Sequence, residues 1–312
     1  ANIDALGAVL TDITAQRCFS IFCLGDTIGY GPEPSACVQY MREFAPINLM
    51  GNHEAMYLAS DPPEKHLDPD ELGDLWPPLE LCHRQLGADD ARWISELPLV
   101  VPVGEMELVH ASLHDPPSFG YITDQTSAKE HFAQQTTRVS FFGHTHVPSI
   151  WQEKGKKITR RTPDNAPVTL DPDCRYAIGV GSVGQPRDGD PRSCYVIYHP
   201  GSDRVEFRRV TYDIKKAQGR FRKAGLSKFD AERIAKALEA ASSLRGRQRG
   251  AASDTGVPRK PDSTLFTSLP ISDLWPLISA TCLLVTRLVA AATYLATAPL
   301  PLMTHKGLWA EY

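Results

Sequence analysis

The sequence lacks several features that would have fixed its class at once. Its seven cysteines (Cys18, Cys23, Cys37, Cys82, Cys174, Cys194 and Cys282) are odd in number and scattered, with no C-x-x-C pair. That argues against a zinc ribbon or a dithiol redox motif, and fits buried thiols in a reducing cytoplasm. Positive charge is not in excess: 33 Lys and Arg stand against 37 Asp and Glu, a net charge of -4. Without a broad basic field, nucleic acid is not the expected partner. The first residues, ANIDALGAVLTDI, put no basic segment ahead of an apolar core and do not read as a signal peptide. An uninterrupted apolar span is missing too. The apolar stretch from Leu277 to Met303 carries Arg287 near its middle and Pro299 and Pro301 near its end, and a central arginine costs a membrane helix roughly 2.5–3.5 kcal/mol. Membrane association of this tail is not the favoured reading; a helix packed on the domain, or a tail foreign to it, is.

What is present has the texture of a globular α/β chain. Ile3, Leu6, Val9, Leu10 and Ile13 recur at helical spacing, so the chain opens on an amphipathic helix with no strand before it. Four short apolar runs follow, at 19–24, 47–50, 106–109 and 139–142, each of strand length. Between them lie helix-like segments at 34–44, with proline at its start, then 71–86, 89–96 and 126–135. This alternation predicts α/β layering. After His146 the runs at 176–180, 195–198 and 205–210 are punctuated by Gly, Pro and Asp, and predict antiparallel strands of a second sheet. The basic residues at 154–157 with Arg160 and Arg161 read as a solvated hairpin. Charged helical sequence runs from 213 to about 243, and RGRQRGAASDTGVPRKPDS then reads as a linker. The expected organisation is one domain over 1–245, a flexible linker over 246–273 and the apolar tail over 274–312.

Each of the four early apolar runs is followed at once by residues suited to a metal: Gly25-Asp26, Gly51-Asn52-His53-Glu54, His110, and Gly143-His144-Thr145-His146. In α/β sheets the carboxyl ends of strands converge on one crevice, so ligands far apart in sequence can meet there. Glycine ahead of a ligand lets the backbone turn sharply and approach closely. Taken singly, an Asp after a strand is commonly a helix cap and a lone His a satisfied structural residue. The ordered set is far more specific. Two adjacent divalent cations need a bridging carboxylate, for which Asp26 is the natural candidate, with imidazoles and an amide oxygen completing each shell.

The runs CLGDTIGYGPEPSACV, MGNHE, LVHAS, FFGHTHVP and GVGSVGQPRDGDPRSCYVIY resemble the bacterial calcineurin-like metallophosphoesterases, the diadenosine-tetraphosphatase-like branch included, over roughly residues 1–213. The resemblance implies a four-layer α/β/β/α sandwich with two mixed sheets and a binuclear metal centre. It implies that Asp26 bridges two divalent ions (Mn, Fe, Zn or Ni, with Mn favoured), that Asn52, His110 and His144 serve one, and that His146 serves the other. By the same match His53 stabilises the transition state or protonates the leaving oxygen, with Glu54 orienting it. Ser182, in the loop that resembles the family's loop beside the metals, is a candidate substrate contact. Arg187 is a candidate phosphate contact, although an arginine beside Asp188 and Asp190 is commonly a structural ion pair. His114 and Tyr121 are candidates for the substrate side, whereas His66, His83, His131, His199 and His305 read as ordinary packing or surface residues.

The family's first motif, Asp-x-His on a first strand, has no counterpart here; Ala1-Asn2 match the positions that follow its histidine. Truncation is the favoured reading over evolved loss, because removing a central strand exposes unpaired backbone and apolar faces. One metal site is then incomplete and the first strand missing, and the chain itself can be inactive. The expected function is hydrolysis of phosphomonoester or phosphodiester bonds of a small molecule or nucleotide by a metal-activated hydroxide. GDTIGYG lacks the second Asp and the Arg of the GDYVDRG form found in eukaryotic-type Ser/Thr protein phosphatases, which favours small substrates over phosphoproteins. The alternative is a non-catalytic interaction protein on the same fold with a degraded metal site.

Overall fold

In the computed structural model, residues 1–60, 75–164 and 166–237 are described. The chain divides into two compact units, Ala1–Arg249 and Gly250–Tyr312, and all described residues belong to the first. The linker, the apolar tail, His66, His305, Cys282 and the predicted helical sequence at 71–74 and 238–243 lie outside them. Among the described residues no helix is long and apolar enough to cross a membrane.

A six-stranded mixed sheet has the order β3-β4-β5-β9-β6-β7. Its strands are Val100–Val103 (β3), Met106–Val109 (β4), Val139–Phe142 (β5), Pro148–Lys154 (β6), Lys157–Arg161 (β7) and Arg175–Val180 (β9). β4 and β5 run parallel with Val109 opposite Phe142, so His110 and Gly143-His144 leave the sheet at the same edge. The predicted hairpin of basic residues is β6–β7, with β7 at the sheet's rim. The run at 176–180 does not join the second sheet as expected: it is the core of β9, parallel to β5 and antiparallel to β6. The reason is legible in its burial, since Tyr176, Ala177, Ile178 and Gly179 are all buried and a strand covered on both faces belongs in the middle of a sheet.

Facing this sheet are a parallel pair, Phe22–Cys23 (β1) with Ile47–Asn48 (β2), and a three-stranded antiparallel sheet in the order β10-β11-β8. Its members are Ser193–His199 (β10), Arg204–Val210 (β11) and Val168–Thr169 (β8). Leu49, Leu108, Phe141, Ile150, Ile178, Val205 and Phe207 form the apolar layer between the facing sheets. Helix Gln125–Gln134 covers the other face of the large sheet through Ala128 and Phe132 against Phe142 and Trp151. Helix Ile3–Ala15 lies on the far side, where Asp12 takes bonds from Tyr195 and Arg208. The layers are therefore helix, sheet, sheet and helix, as expected for an α/β sandwich.

β1 and β10 are edges that do not bond to each other, and a cavity of about 890 Å³ lies between them. Residues 21–24 line one side, 195–198 the other, and Met106, Leu108 and Phe141 the floor. It is an apolar slot between two unpaired strand edges. Its far end opens on Asp26, His110, His144 and His146.

Candidate metal centre

The loops that carry the site are held in costly conformations. Asp26, His144 and His146 have φ of 55, 57 and 58°, a left-handed region that non-glycine residues avoid. Two glycines make the close approach possible. A Cβ on Gly25, whose φ is +96°, would stand 2.8 Å from His110 Nδ1, and one on Gly51 would stand 2.2 Å from Asp26 Oδ1. Gly51 also opens helix Asn52–Ala59, with Glu54 as its capping residue. Glu54 Oε2 accepts from the Asp26 and Gly51 N–H groups at 2.8 and 2.9 Å, and Oε1 from Ile28 N–H at 3.2 Å. The buried Glu54 carboxylate thus pins the Asp26 loop to the helix start, and its bonds run to the main chain.

Asp26, His110 and His144 bring three ligand-type atoms within 4.8 Å of one another. His110 Nδ1 lies 2.6 Å from the Leu24 carbonyl, which can only accept, so Nδ1 carries the proton and a neutral ring presents a bare lone pair at Nε2. That lone pair faces Asn52 Oδ1 at 3.2 Å, His144 Nδ1 at 3.2 Å and Asp26 Oδ2 at 3.4 Å. Oxygens of Asn52 and Asp26 cannot donate to it, so this nitrogen is met either by a proton of its own, which Asp26 favours, or by a cation. Carboxylate, amide oxygen and imidazoles are a donor set suited to a divalent ion. The described residues therefore contain a partial candidate metal site, whose donor set fits a divalent ion.

Electrostatics agree with that donor set. Burial, then repulsion from His110, holds His144 down to about 3. Burial and the charge of Arg187 keep His146 well below its ordinary value. Burial pushes Asp26 up, but the charges of His110 and His53 outweigh it and hold the carboxyl well below the usual range. For His110 burial acts downward, and Asp26 more than reverses it. A deprotonated carboxylate among mostly neutral imidazoles is the form that binds a metal.

The remaining predicted residues fall around this cluster. His146 Nδ1 donates to the Gln185 carbonyl at 2.7 Å, which leaves Nε2 as its ligand-capable atom. The His53 N–H donates to Asp26 Oδ1 at 3.1 Å, and its ring packs edge-on against Tyr30 at 4.3 Å. Burial holds His53 at about 4, hence neutral. Ser182 Oγ accepts from Gln185 N–H at 3.1 Å, so its hydroxyl shapes the loop that carries His146's partner. Arg187 is not the structural ion pair that its neighbours suggested. Asp188 pairs with Arg209, and Asp190 with Arg192. Arg187 instead donates to Gln185 Oε1 at 3.0 Å, lies 5.6 Å over the Tyr30 ring, and leaves a buried Nε–H without a partner. Tyr121 stacks on His144 at 4.0 Å. Sequence reading missed Tyr30, Gln185 and the Leu24 carbonyl; the only signal for Tyr30 was its place in the loop after Asp26.

Comparison with known proteins places this geometry. The sequence profile of the calcineurin-like phosphoesterases matches residues 1–148. The uncharacterized protein MJ0912 of Methanocaldococcus jannaschii is 30% identical over 239 residues, which cover 75% of this chain and 93% of that one. A crystal structure of a metallophosphoesterase from Sphaerobacter thermophilus superposes with a TM-score of 0.66 at 35% identity, covering 76% of this chain and 95% of the other. Protein PH1004 of Pyrococcus horikoshii OT3 shares the fold alone, with a TM-score of 0.59 at 17% identity over 77% of this chain and 95% of its own. The chain belongs to the calcineurin-like phosphoesterase family.

Proposed function

We propose that this protein hydrolyses phosphate esters of a small molecule or nucleotide in the cytoplasm, with Asp26, Asn52, His110 and His144 holding one divalent cation and Asp26 with His146 contributing to a second. The observation that carries this is the convergence of Asn52 Oδ1 at 3.2 Å and Asp26 Oδ2 at 3.4 Å on His110 Nε2. Manganese is the favoured ion. When bound, the cations would supply an activated water and neutralise charge on the phosphoryl group. Burial keeps His53 neutral with one ring N–H to donate toward the phosphoryl or leaving oxygen, and its main-chain bond to Asp26 fixes its distance from the centre. Arg187, whose acidic neighbours are paired elsewhere, binds a phosphoryl oxygen; a guanidinium suits that contact because it donates in a planar fork. Leu24 and Gln185 lend carbonyls that fix the tautomers of His110 and His146.

The slot between β1 and β10 supplies the test. Extending the chain ahead of Ala1 with an apolar strand ending in Asp-x-His, then assaying an aryl phosphate ester with Mn²⁺, is expected to give metal-dependent turnover that His110→Ala abolishes. A folded extended protein that stays inert with Mn²⁺, Fe²⁺, Zn²⁺ and Ni²⁺ sinks the enzyme reading and leaves the binding-protein alternative.

A further inference from the structure

We propose that the centre selects phosphate dianions, and hence terminal phosphates over diesters, through an anion subsite in which Arg187 and Arg233 gather on the Tyr30 ring beside His53 and His146. This rests on the phosphoesterase reading above and names its substrate class. Arg187 and Arg233 come from distant parts of the chain, yet their guanidinium carbons lie 5.6 and 5.4 Å from the same Tyr30 centroid. Tyr30 stands at φ 47°, and its ring meets His53 at 4.3 Å and His146 at 6.4 Å. Arg187 is tied to the centre through its main chain, since its N–H donates to the His146 carbonyl at 3.1 Å.

The two arginines have different parts. Arg187 is half-buried, has no carboxylate within ion-pair distance among the described residues, and keeps a buried Nε–H unmet. It is the group that touches the anion. Arg233, in helix Lys228–Lys236, is only 4% exposed. It acts as a positioning residue that fixes Tyr30, with Asp230 of its own helix facing its charge. Tyr121, 37% exposed, stacks on His144 beside Arg187. The fixed positive charge of Arg187 attracts a dianion twice as strongly as a monoanion at the same place, whereas a diester gives up one charge.

The test is calorimetric titration of the full chain, with and without Mn²⁺, using phenylphosphonate and its methyl ester at mildly alkaline pH, where the first is a dianion and the second a monoanion. The dianion is expected to bind at least about tenfold tighter, and Arg233→Met to cut that ratio to about threefold or less without changing Mn²⁺ affinity. Arg187→Met, at a half-buried position, is expected to remove the ratio and serves if Arg233→Met does not fold. Equal affinities for the two probes, or a ratio unchanged in a folded Arg187→Met protein, overturns the subsite. Failure to bind Mn²⁺ at all instead overturns the metal reading, and the metal-free titration still reads the arginine pair by itself.

Discussion

Two buried histidines at the large sheet, His110 and His131, have opposite hydrogen-bond balances. At His131 every proton has a home: Nδ1 accepts from Leu113 N–H at 3.1 Å, Nε2 donates to Ser140 Oγ at 2.8 Å, and Ser140 donates on to Gln135 at 3.0 Å. At His110 the proton on Nδ1 goes to Leu24, and the other nitrogen faces only groups that lack one to give, or that compete for it. Both rings are buried: His110 follows β4, and His131 lies in the helix that packs on the same sheet. A balanced network is a structural element, whereas an unbalanced one calls for an ion.

The sharpest way to break the contrast is to remove each ring. His110→Ala is expected to weaken Mn²⁺ binding by more than about a hundredfold in calorimetry, a loss larger than the 10–100-fold typical of groups that only support a ligand. His131→Ala is expected to leave that affinity within about threefold. If the two substitutions weaken Mn²⁺ alike, the contrast carries no information about metals.

Next in size is stability. His131→Ala leaves the Leu113 N–H and Ser140 in the dark with a cavity beside them, and is expected to cost about 3 kcal/mol in chemical denaturation. The wild-type protein also carries a pH signature. Burial lowers His131 to about 4 from its ordinary 6.5, so between those values the unfolded chain binds more protons than the folded one. Its contribution is fully present above pH 6.5 and is lost as pH falls toward 4, an order of about 3 kcal/mol. His131→Leu is expected to flatten the stability profile over that window, and an unchanged slope would assign the acid sensitivity elsewhere.

The sequence was informative about the site in proportion to how much of it sits at strand ends. Asp26, Asn52, His110, His144 and His146 could be named because each follows an apolar run, and β4, β5 and the helix at Pro34–Phe44 lie where periodicity put them. His131 could be set aside as packing for the same reason, since it lies inside a helix. Illegible were the contacts that run from side chain to main chain, such as Leu24 and Gln185 with the two histidines, because a carbonyl leaves no mark on residue identity. The position of β9 within the first sheet is equally illegible, because the turns around its run suggest an antiparallel strand and its burial on both faces is settled only by packing. Arg187 shows the limit most clearly: Asp190 pairs locally with Arg192, but Asp188 pairs with Arg209, which the pairing of β10 with β11 brings alongside.

A cation that fills the unbalanced site should also stabilise the fold. Mn²⁺ at a hundred times its dissociation constant is expected to add about 2.7 kcal/mol to the wild-type and His131→Ala proteins, and nothing to His110→Ala. Thermal unfolding with and without EDTA reads this, and an equal shift in all three proteins would place the ion elsewhere.

The smallest expected effect falls on Glu54, which joins the two kinds of network. Its carboxylate accepts three main-chain N–H groups, so Glu54→Gln turns an amide N–H₂ toward at least one of those donors and leaves it unmet, at a cost of about 1–3 kcal/mol. Burial, and the charge of Asp26 close by, already disfavour the ionised Glu54, and removing its charge relieves that repulsion. The two effects oppose, and the expected net loss of stability is about 1 kcal/mol. Mn²⁺ affinity should fall by less than about tenfold, because one negative charge near the ion is gone while Asp26 and its imidazoles remain. A loss as large as that of His110→Ala would mean that Glu54 touches the ion directly, and that the boundary drawn here between holding the loop and holding the metal lies in the wrong place.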